Sequence, residues 1–403
     1  MKSRNATAII FILGGVSMIG PFTTDMYLPA FSAIAEGLDT LVPEVGYSLS
    51  SYFAGICIGQ LIHGPLIDRF GRRNPLLIFL SLYIIMSLAC SWTNSIEGLI
   101  IFRFFQAFAG SCGMVVNRAV VRDLFPPGET AKVFSKLILV MGVAPIIAPT
   151  VGGFVVEDWG WRAVFWVLAS IGAVVLAAVI WSLPESKAPD KSVSLRLPAV
   201  MRNYGKTLAN PLFIPFVIAG AMNTGGLFAY ISGSSYVYID LYGLDVKTFG
   251  WIFGGNAACF ILGSQINRIF LKYSQSHKVV IPMVAFQLLN GIILAFMVYQ
   301  GTITLPIMIV LIGFYTLCLG MVGPNALALA LSPFTENVGV ASAALGSVQM
   351  GMGALASALV SLFAGGSALS MAAVMAGATA IGLIGLIFGV RMIRRTEWMV
   401  AGT

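Results

Sequence analysis

Asp25 and Arg103 are ionisable, and each sits inside an otherwise apolar run of the chain. A charge held within hydrocarbon is costly, and it persists where protons, ions or substrates pass. Asp25 lies about four residues and Arg103 about six from the outer ends of their runs, which at 1.5 Å per residue puts both roughly 6 to 9 Å below the outer face. A nearby guanidinium favours the ionised form of a carboxylate and burial favours the neutral one, so such a group is poised to exchange a proton when its surroundings change. Asp25 is therefore the candidate proton carrier. Arg103, which does not deprotonate in this range, is the fixed charge that tunes it. Two plainer arrangements use the same residues: Asp25 as the hydrated end of a helix stopped by Pro29, and Arg103 snorkelling toward lipid headgroups.

The second chemical cluster is Gly64-Pro65-Leu66-Ile67-Asp68-Arg69-Phe70-Gly71-Arg72-Arg73, which gathers Asp68, Arg69, Arg72 and Arg73 in a chain that is only 10% charged. These groups need water. They lie between the apolar runs Val45–Ile62 and Pro75–Ala89, so the segment reads as a very short loop joining two membrane-crossing helices. Asp68 suits the positive N-terminal end of another helix, where charge–dipole attraction of about 0.3–1 kcal/mol, or about 2 when partly buried, makes a reversible latch. Gly64 lets the two helices touch. The loop equally fits a simple anchor for the positively charged face of the membrane.

The elements that carry these residues follow from composition. With 58% hydrophobic residues and 44 glycines in 403, the chain has more apolar surface than one soluble core could hide. A spanning helix needs about 20 apolar residues. The chain offers twelve such runs, near 7–29, 44–66, 75–92, 97–119, 131–155, 162–182, 209–232, 247–270, 279–299, 303–328, 338–364 and 369–391. In that arrangement every Lys and Arg except Arg103, Arg162 and Lys247 falls on one side, which the positive-inside rule makes cytoplasmic. The opposite loops carry Glu36, Asp39, Glu44, Glu97, Glu157, Asp158, Asp240 and Asp245. Both termini then face the cytoplasm. Topology and anionic membrane lipid account for the net charge of +7, and no nucleic acid is implied.

Residues 183–208, rich in Pro, Lys and Ser, form the one long polar connection, with an N-terminal six-helix bundle at 1–182 and a C-terminal one at 209–403. Gly64-x-x-x-Asp68-Arg69 has a faint counterpart in Gly263-x-x-x-Asn267-Arg268, at the matching place in the second half. Parallel halves of this kind place a substrate site at their interface near the bilayer midplane. In a glycine-rich chain the echo also arises by chance.

Several chemistries find no support. The five cysteines Cys57, Cys90, Cys112, Cys259 and Cys318 all fall within expected spans, so neither a disulfide framework nor a metal site is indicated. His63 and His277 are isolated, which suits packing or loop roles better than ligation. The first apolar run lacks a small-residue cleavage site and continues into Asp25, so it reads as a retained span. The spans hold no paired carboxylates, His–Cys cluster or nucleophile motif, which argues against an enzyme, and no G-x-x-x-x-G-K-[ST] loop implies ATP drive. No cofactor is expected.

The spacing of Gly64-x-x-x-Asp68-Arg69-x-Gly71-Arg72-Arg73 resembles the signature loop after the second helix of major facilitator superfamily transporters. Thr24-Asp25-Met26-Tyr27-Leu28-Pro29-Ala30 looks like the first-helix motif of the Bcr/CflA drug-resistance transporters, a twelve-span branch of drug:proton antiporters. Arg103-Phe104-Phe105-Gln106-Ala107-Phe108-Ala109-Gly110 is similar to the fourth-helix motif, which Val121-Arg122-Asp123 closes as in that branch. Gly142-Val143-Ala144-Pro145-Ile146-Ile147-Ala148-Pro149-Thr150-Val151-Gly152-Gly153 is similar to the antiporter motif, with Ala148 where that motif has glycine. Independently of any resemblance, Pro145 and Pro149 remove backbone donors and bend a helix, while Gly152 and Gly153 allow a neighbour to approach closely.

The resemblance implies an all-α fold of two six-helix bundles and export of small antibiotics from bacteria in exchange for protons. It places the latch partner of Asp68 at the start of span eleven, near Asn337 to Ala341, and leaves the Asn267 copy weaker. Polar and aromatic residues on the spans that line the cavity of this fold are Tyr27, Asn117, Asn223, Phe228, Tyr230, Asn256, Asn325 and Gln349. Each is a candidate substrate contact, and each equally suits an interhelical bond or a lipid-facing position. One acidic group in the cavity favours neutral or monocationic amphipathic drugs. The expected partners are thus a small drug, protons and membrane lipid, with the chain a monomer in the bacterial inner membrane. A proton-coupled permease for a small metabolite remains the alternative.

Overall fold

A computed structural model of the chain describes residues 3–125, 127–193, 195, 197–334, 338–365 and 367–401. Regular structure among them is helical throughout. The first expected span is α1, Ser3–Asp25, followed by a 3-10 turn at Leu28–Ala30 and a short α2, Phe31–Gly37. Pro29, with its fixed φ and missing N–H, sits inside that turn and marks the break. Then come α3 (Val42–Phe70), α4 (Arg73–Trp92), α5 (Ile96–Leu124), α6 (Pro127–Trp159) and α7 (Trp161–Ser182). Beyond the polar connection lie α8 (Leu197–Leu208), α9 (Ile214–Ser235) with a π-helical turn at Tyr236–Leu241, α10 (Val246–Phe270), α11 (Ser276–Tyr299), α12 (Leu305–Leu331), α13 (Val338–Leu362) and α14 (Leu369–Ala401).

Ten of these stretches, among the described residues, are long and apolar enough to cross a membrane. The expected spans at 131–155 and 247–270 fall on α6 and α10, helices of 33 and 25 residues. Large apolar side chains such as Phe11, Ile78, Val174, Phe296 and Phe388 stand exposed along the outside, as they do where lipid is the solvent. The chain is a multi-pass membrane protein.

Two details depart from the expected layout. The charged cluster is less of a loop than its composition suggests: α3 continues through Asp68 and Arg69 to Phe70, and only Gly71 and Arg72 separate it from α4. Gly71 takes φ +86°, a left-handed conformation that glycine adopts without strain, and so ends α3 abruptly. The polar connection also contains a helix, α8, whose apolar residues Leu197, Val200, Met201, Tyr204 and Leu208 recur at helical spacing among polar ones and so escape a search for long apolar runs.

The chain separates into two compact units, Met1–Val200 with Leu244–Gly254, and Met201–Gly243 with Gly255–Thr403. In the first, Leu13, Leu80, Val116 and Val179 form part of a buried apolar cluster joining α1, α4, α5 and α7. There α3 crosses α5 so closely that a methyl group at Gly55 would run into the Phe104 carbonyl. In the second unit α10 crosses α12 in the same manner, Gly263 against the Leu317 carbonyl and Gly320 against the Phe260 carbonyl. Small residues at helix crossings permit such contact, which replaces the hydrophobic drive that lipid does not supply.

Candidate functional site

Arg103 is wholly buried in the first unit and organises its surroundings. Its Nη1 donates to Gln106 Oε1 at 2.7 Å and to the Thr23 carbonyl at 3.3 Å. Gln106 stands one helical turn along α5, and its Nε2 donates in turn to Ser87 Oγ at 2.7 Å, reaching α4. The guanidinium carbon lies 4.2 Å from the Tyr27 ring centroid and 4.3 Å from that of Tyr52. Phe165 adds a third ring at 5.9 Å. A planar guanidinium between aromatic faces gains cation–π attraction that is larger in a desolvated site. Nε and Nη2 have no hydrogen-bond partner among the described residues. The Thr23 carbonyl belongs to the last turn of α1, so Arg103 also places positive charge at the negative end of that helix.

The polar shell continues outward from Thr23. Its hydroxyl shares a 2.6 Å hydrogen bond with Tyr83 and donates to the Ile19 carbonyl at 2.5 Å. Tyr27 shares one of 2.6 Å with Ser48 on α3. Asp25, at the very end of α1, is 4% exposed and is the one buried carboxylate among the described residues. Asp25 and Arg103 form no ion pair in this structure. Arg103 is occupied by Gln106, Thr23 and the two tyrosine rings, and the carboxylate of Asp25 accepts no hydrogen bond from a described residue. Gln106, Ser87, Tyr52 and Tyr83 join the site without having been singled out. The signal for Gln106 was its i, i+3 spacing from Arg103, whereas the others depend on which helices pack together.

The charged turn between α3 and α4 is a second built assembly. Arg72, fully buried, pairs with Asp68 one turn back at 2.7 Å and with Asp123 at the end of α5 at 3.0 Å, and also donates to the Ile67 carbonyl at 2.7 Å. Glu185, just after α7, accepts from the backbone N–H of Arg72 at 2.6 Å and of Arg73 at 3.1 Å. A carboxylate at the N-terminus of α4 thus satisfies two donors that a helix start leaves free. The polar connection lies along the turn: Arg69 donates to the Val193 carbonyl at 2.7 Å and the Asp190 N–H to the Asp68 carbonyl at 3.3 Å, while Arg73 donates to the Ile180 carbonyl in the last turn of α7 at 2.5 Å. Gly71 is confined by Glu185, where any side chain would collide. Gly64 lies on α3 one turn before Asp68. Asn337, where the expected latch partner begins, lies outside the described residues.

Helix α6 runs unbroken through Pro145 and Pro149. Its paired Gly152 and Gly153 face different neighbours: a methyl group at Gly152 would strike the backbone of Met26, next to Asp25, and one at Gly153 would press on Val246. Of the candidate substrate contacts, Asn117 donates to the Leu13 carbonyl at 3.0 Å and to Ser17 at 2.7 Å, tying α5 to α1. In the second unit Asn256 donates to the Tyr230 hydroxyl at 2.9 Å. Asn325 donates to Asn267 at 2.6 Å, which joins the second-half counterpart of Asp68 to α12. Asn223, Phe228 and Gln349 are only partly buried. Asn223 makes a single long bond, 3.5 Å, to the Leu319 carbonyl. His63 is a packing residue, hydrogen-bonded to Ser111 at 3.1 Å and set against the rings of Phe79 and Phe108. The His277 side chain lies outside the described residues.

Membrane-crossing helices around a buried arginine, with a charged turn clamped at the helix ends, define a polytopic transporter. The chain matches the family model of the Major Facilitator Superfamily over residues 13–358, and it belongs to that family. It is 32% identical to a bicyclomycin resistance protein homolog of Haemophilus influenzae, over 88% of this chain and 89% of the relative. It is 26% identical to the multidrug resistance protein MdtL of Klebsiella pneumoniae, over 83% of each. The fold is similar to the crystal structure of a D-xylose-proton symporter, with a TM-score of 0.71 at 16% identity, covering 95% of this chain and 97% of that one. The protein is a transporter and not an enzyme.

Proposed function

We propose that this protein exports small neutral or monocationic amphipathic drugs across the bacterial inner membrane in exchange for protons, by alternating access between the bundles at 1–182 and 209–403. Twelve spans with both termini cytoplasmic are part of this reading. The observation that carries it is Asp25: a buried carboxyl at the end of α1, one residue from the contact with α6 and not ion-paired with any described cation. Relatives described as bicyclomycin resistance and multidrug resistance proteins support a drug as cargo. In the cycle, drug enters from the inner side as Asp25 gives up its proton. Opening outward then exposes the carboxylate to the more acidic side, and its protonation favours drug release and return. Where the exchange moves net charge, the membrane potential adds about 2.3 kcal/mol per charge per 100 mV. Tyr27 and Arg103 share the buried polar shell at the end of α1, and Asn223, Phe228 and Gln349 are the candidate contacts that stay only partly buried.

The test is transport in proteoliposomes of the purified chain, with bicyclomycin and chloramphenicol as cargo. An imposed pH gradient is expected to drive drug against proton flow. Drug that moves with the protons makes the chain a symporting permease, and drug movement indifferent to the gradient removes proton coupling altogether.

The charged turn is assigned as the cytoplasmic latch in the same reading. Asp68→Asn is expected to keep the protein folded in the membrane, because Arg72 retains Asp123 and the Ile67 carbonyl. Loss of a latch term of about 1 kcal/mol slows turnover about fivefold. Efflux rates equal to the parent at equal membrane abundance would remove the latch role.

A further inference from the structure

Tyr315, wholly buried on α12 in the second unit, takes no part in the cycle above, yet its hydroxyl meets both α9 and α14. It donates to the Met375 carbonyl at 3.0 Å and shares a 2.8 Å bond with the Thr379 hydroxyl, which itself donates to that carbonyl at 2.9 Å. Gly226 of α9 leaves room for it: a methyl group there would strike the Tyr315 oxygen. The contact continues along both helices. Tyr315, Leu319 and Gly323 recur every four residues on one face of α12. The Leu319 carbonyl accepts from Asn223 Nδ2 at 3.5 Å, and a Cβ at Gly323 would lie 3.5 Å from the same nitrogen. Asn223 stands one turn before Gly226 on α9, and its amide oxygen is buried with no hydrogen-bond partner among the described residues. Phe228, two residues beyond Gly226, lies against Gly353 of α13, and Gln349 of α13 lies against Gly220 of α9. The three candidate drug contacts that stay partly buried therefore belong to α9 or press on it, and the height and rotation of that helix place them all.

We propose that Tyr315 is a positioning residue for drug recognition: seated at Gly226 and bonded to α14, its hydroxyl holds α9 in the register that presents Asn223 and Phe228 to the drug. The Asn223 amide oxygen then accepts from an N–H or O–H of the cargo. This role rests on the drug-transport reading and is independent of proton coupling. The rest of the α9–α14 contact is made by small residues, with Gly382, Gly385 and Gly389 of α14 set against Met222, Pro215 and Phe216. Such contacts hold two helices close but set their rotation weakly, since lipid supplies no hydrophobic drive, and a buried polar bond between helices supplies the register.

The test is made on the full-length chain and reads three quantities: equilibrium binding of bicyclomycin and of chloramphenicol, transport rate at saturating drug, and labelling of a Thr224→Cys reporter on α9 by N-ethylmaleimide. The parent, with its five native cysteines, supplies the labelling background. Tyr315→Phe keeps the ring and loses the hydroxyl. It is expected to weaken binding of both drugs about fivefold, to shift reporter labelling by a similar factor, and to leave the saturated rate near that of the parent. Gly226→Ala drives a methyl group into the hydroxyl and is expected to weaken binding about tenfold. Combining the two removes the clash, so the double variant binds about as Tyr315→Phe does, where independent changes would multiply to a loss of about fiftyfold. Binding unchanged by Tyr315→Phe, a saturated rate that falls in step with affinity, or losses that multiply in the double variant overturns the positioning role. A parent that binds neither drug removes the drug-export reading instead; a labelling shift in Tyr315→Phe then leaves the register of α9 standing, and unchanged labelling removes that as well.

Discussion

Asp25→Asn is expected to reduce proton-driven drug accumulation to the equilibrium level while drug binding stays measurable. One proton exchanged per drug lets a gradient of one pH unit, about 1.4 kcal/mol, sustain about a tenfold drug gradient. A carboxamide neither binds nor releases a proton in this range, so that ratio falls to one. The size and hydrogen-bonding shape of the side chain are kept, and the carboxylate it replaces accepts no hydrogen bond and makes no ion pair with described residues, so the fold survives the change. The measurement is paired: drug accumulation in proteoliposomes at a fixed pH gradient, and drug affinity at equilibrium. Full accumulation by the variant would reject Asp25 as the proton carrier, and loss of binding along with accumulation would make it a substrate contact instead.

Arg103→Lys is expected to cut transport at least tenfold with charge conserved, the equivalent of about 1.4 kcal/mol. The guanidinium carbon sits over the Tyr27 and Tyr52 rings while Nη1 donates to Gln106 and to the Thr23 carbonyl. An ammonium is a point donor with a thicker hydration shell and cannot serve the rings and these acceptors at once. Gln106 then loses its buried partner and the Ser87 bond beyond it loses its orientation. Leaving a buried amide unsatisfied costs about 1–3 kcal/mol, so the thermal midpoint of the purified variant falls as well. Parent-like rates in Arg103→Lys would reduce the role of this residue to its charge.

How much of this was legible in the sequence differs from residue to residue. The spanning helices were, because lipid demands long apolar runs and α-helical backbones, and few other readings satisfy a stretch such as Trp161–Ser182. Asp25 and Arg103 were, because a charge in such a run stands out. Their lack of a direct bond was not, since it depends on the tyrosines and Gln106 claiming the guanidinium first. The turn at Gly71 was recognised as a watery junction, yet its charged residues Asp68 and Arg69 continue α3, because an i, i+4 pair with Arg72 stabilises the helix end. Glu185 and Asp123 are more distant in sequence from that turn, and only packing brings their carboxylates to it. Amphipathic α8 was hidden by its short length. The neighbours of Gly152 and Gly153 were equally unreadable: a paired glycine announces a close approach without saying what approaches.

The bonds from Arg69 to Val193 and from the Arg72 and Arg73 N–H groups to Glu185 bear on how far the connection between the halves can stretch. A polar segment spanning 183–208 suggests a long slack tether, but its stretch up to Val193 is fastened to the first bundle and its later part is wound into α8. After α8 the short stretch to Ile214 is itself turned and hydrogen-bonded around Asn210, with Phe213 fully buried, so the described connection carries much less slack than its composition suggests. A reporter spliced in at Ser186 or Asp190 would unhook the strap from the turn it holds.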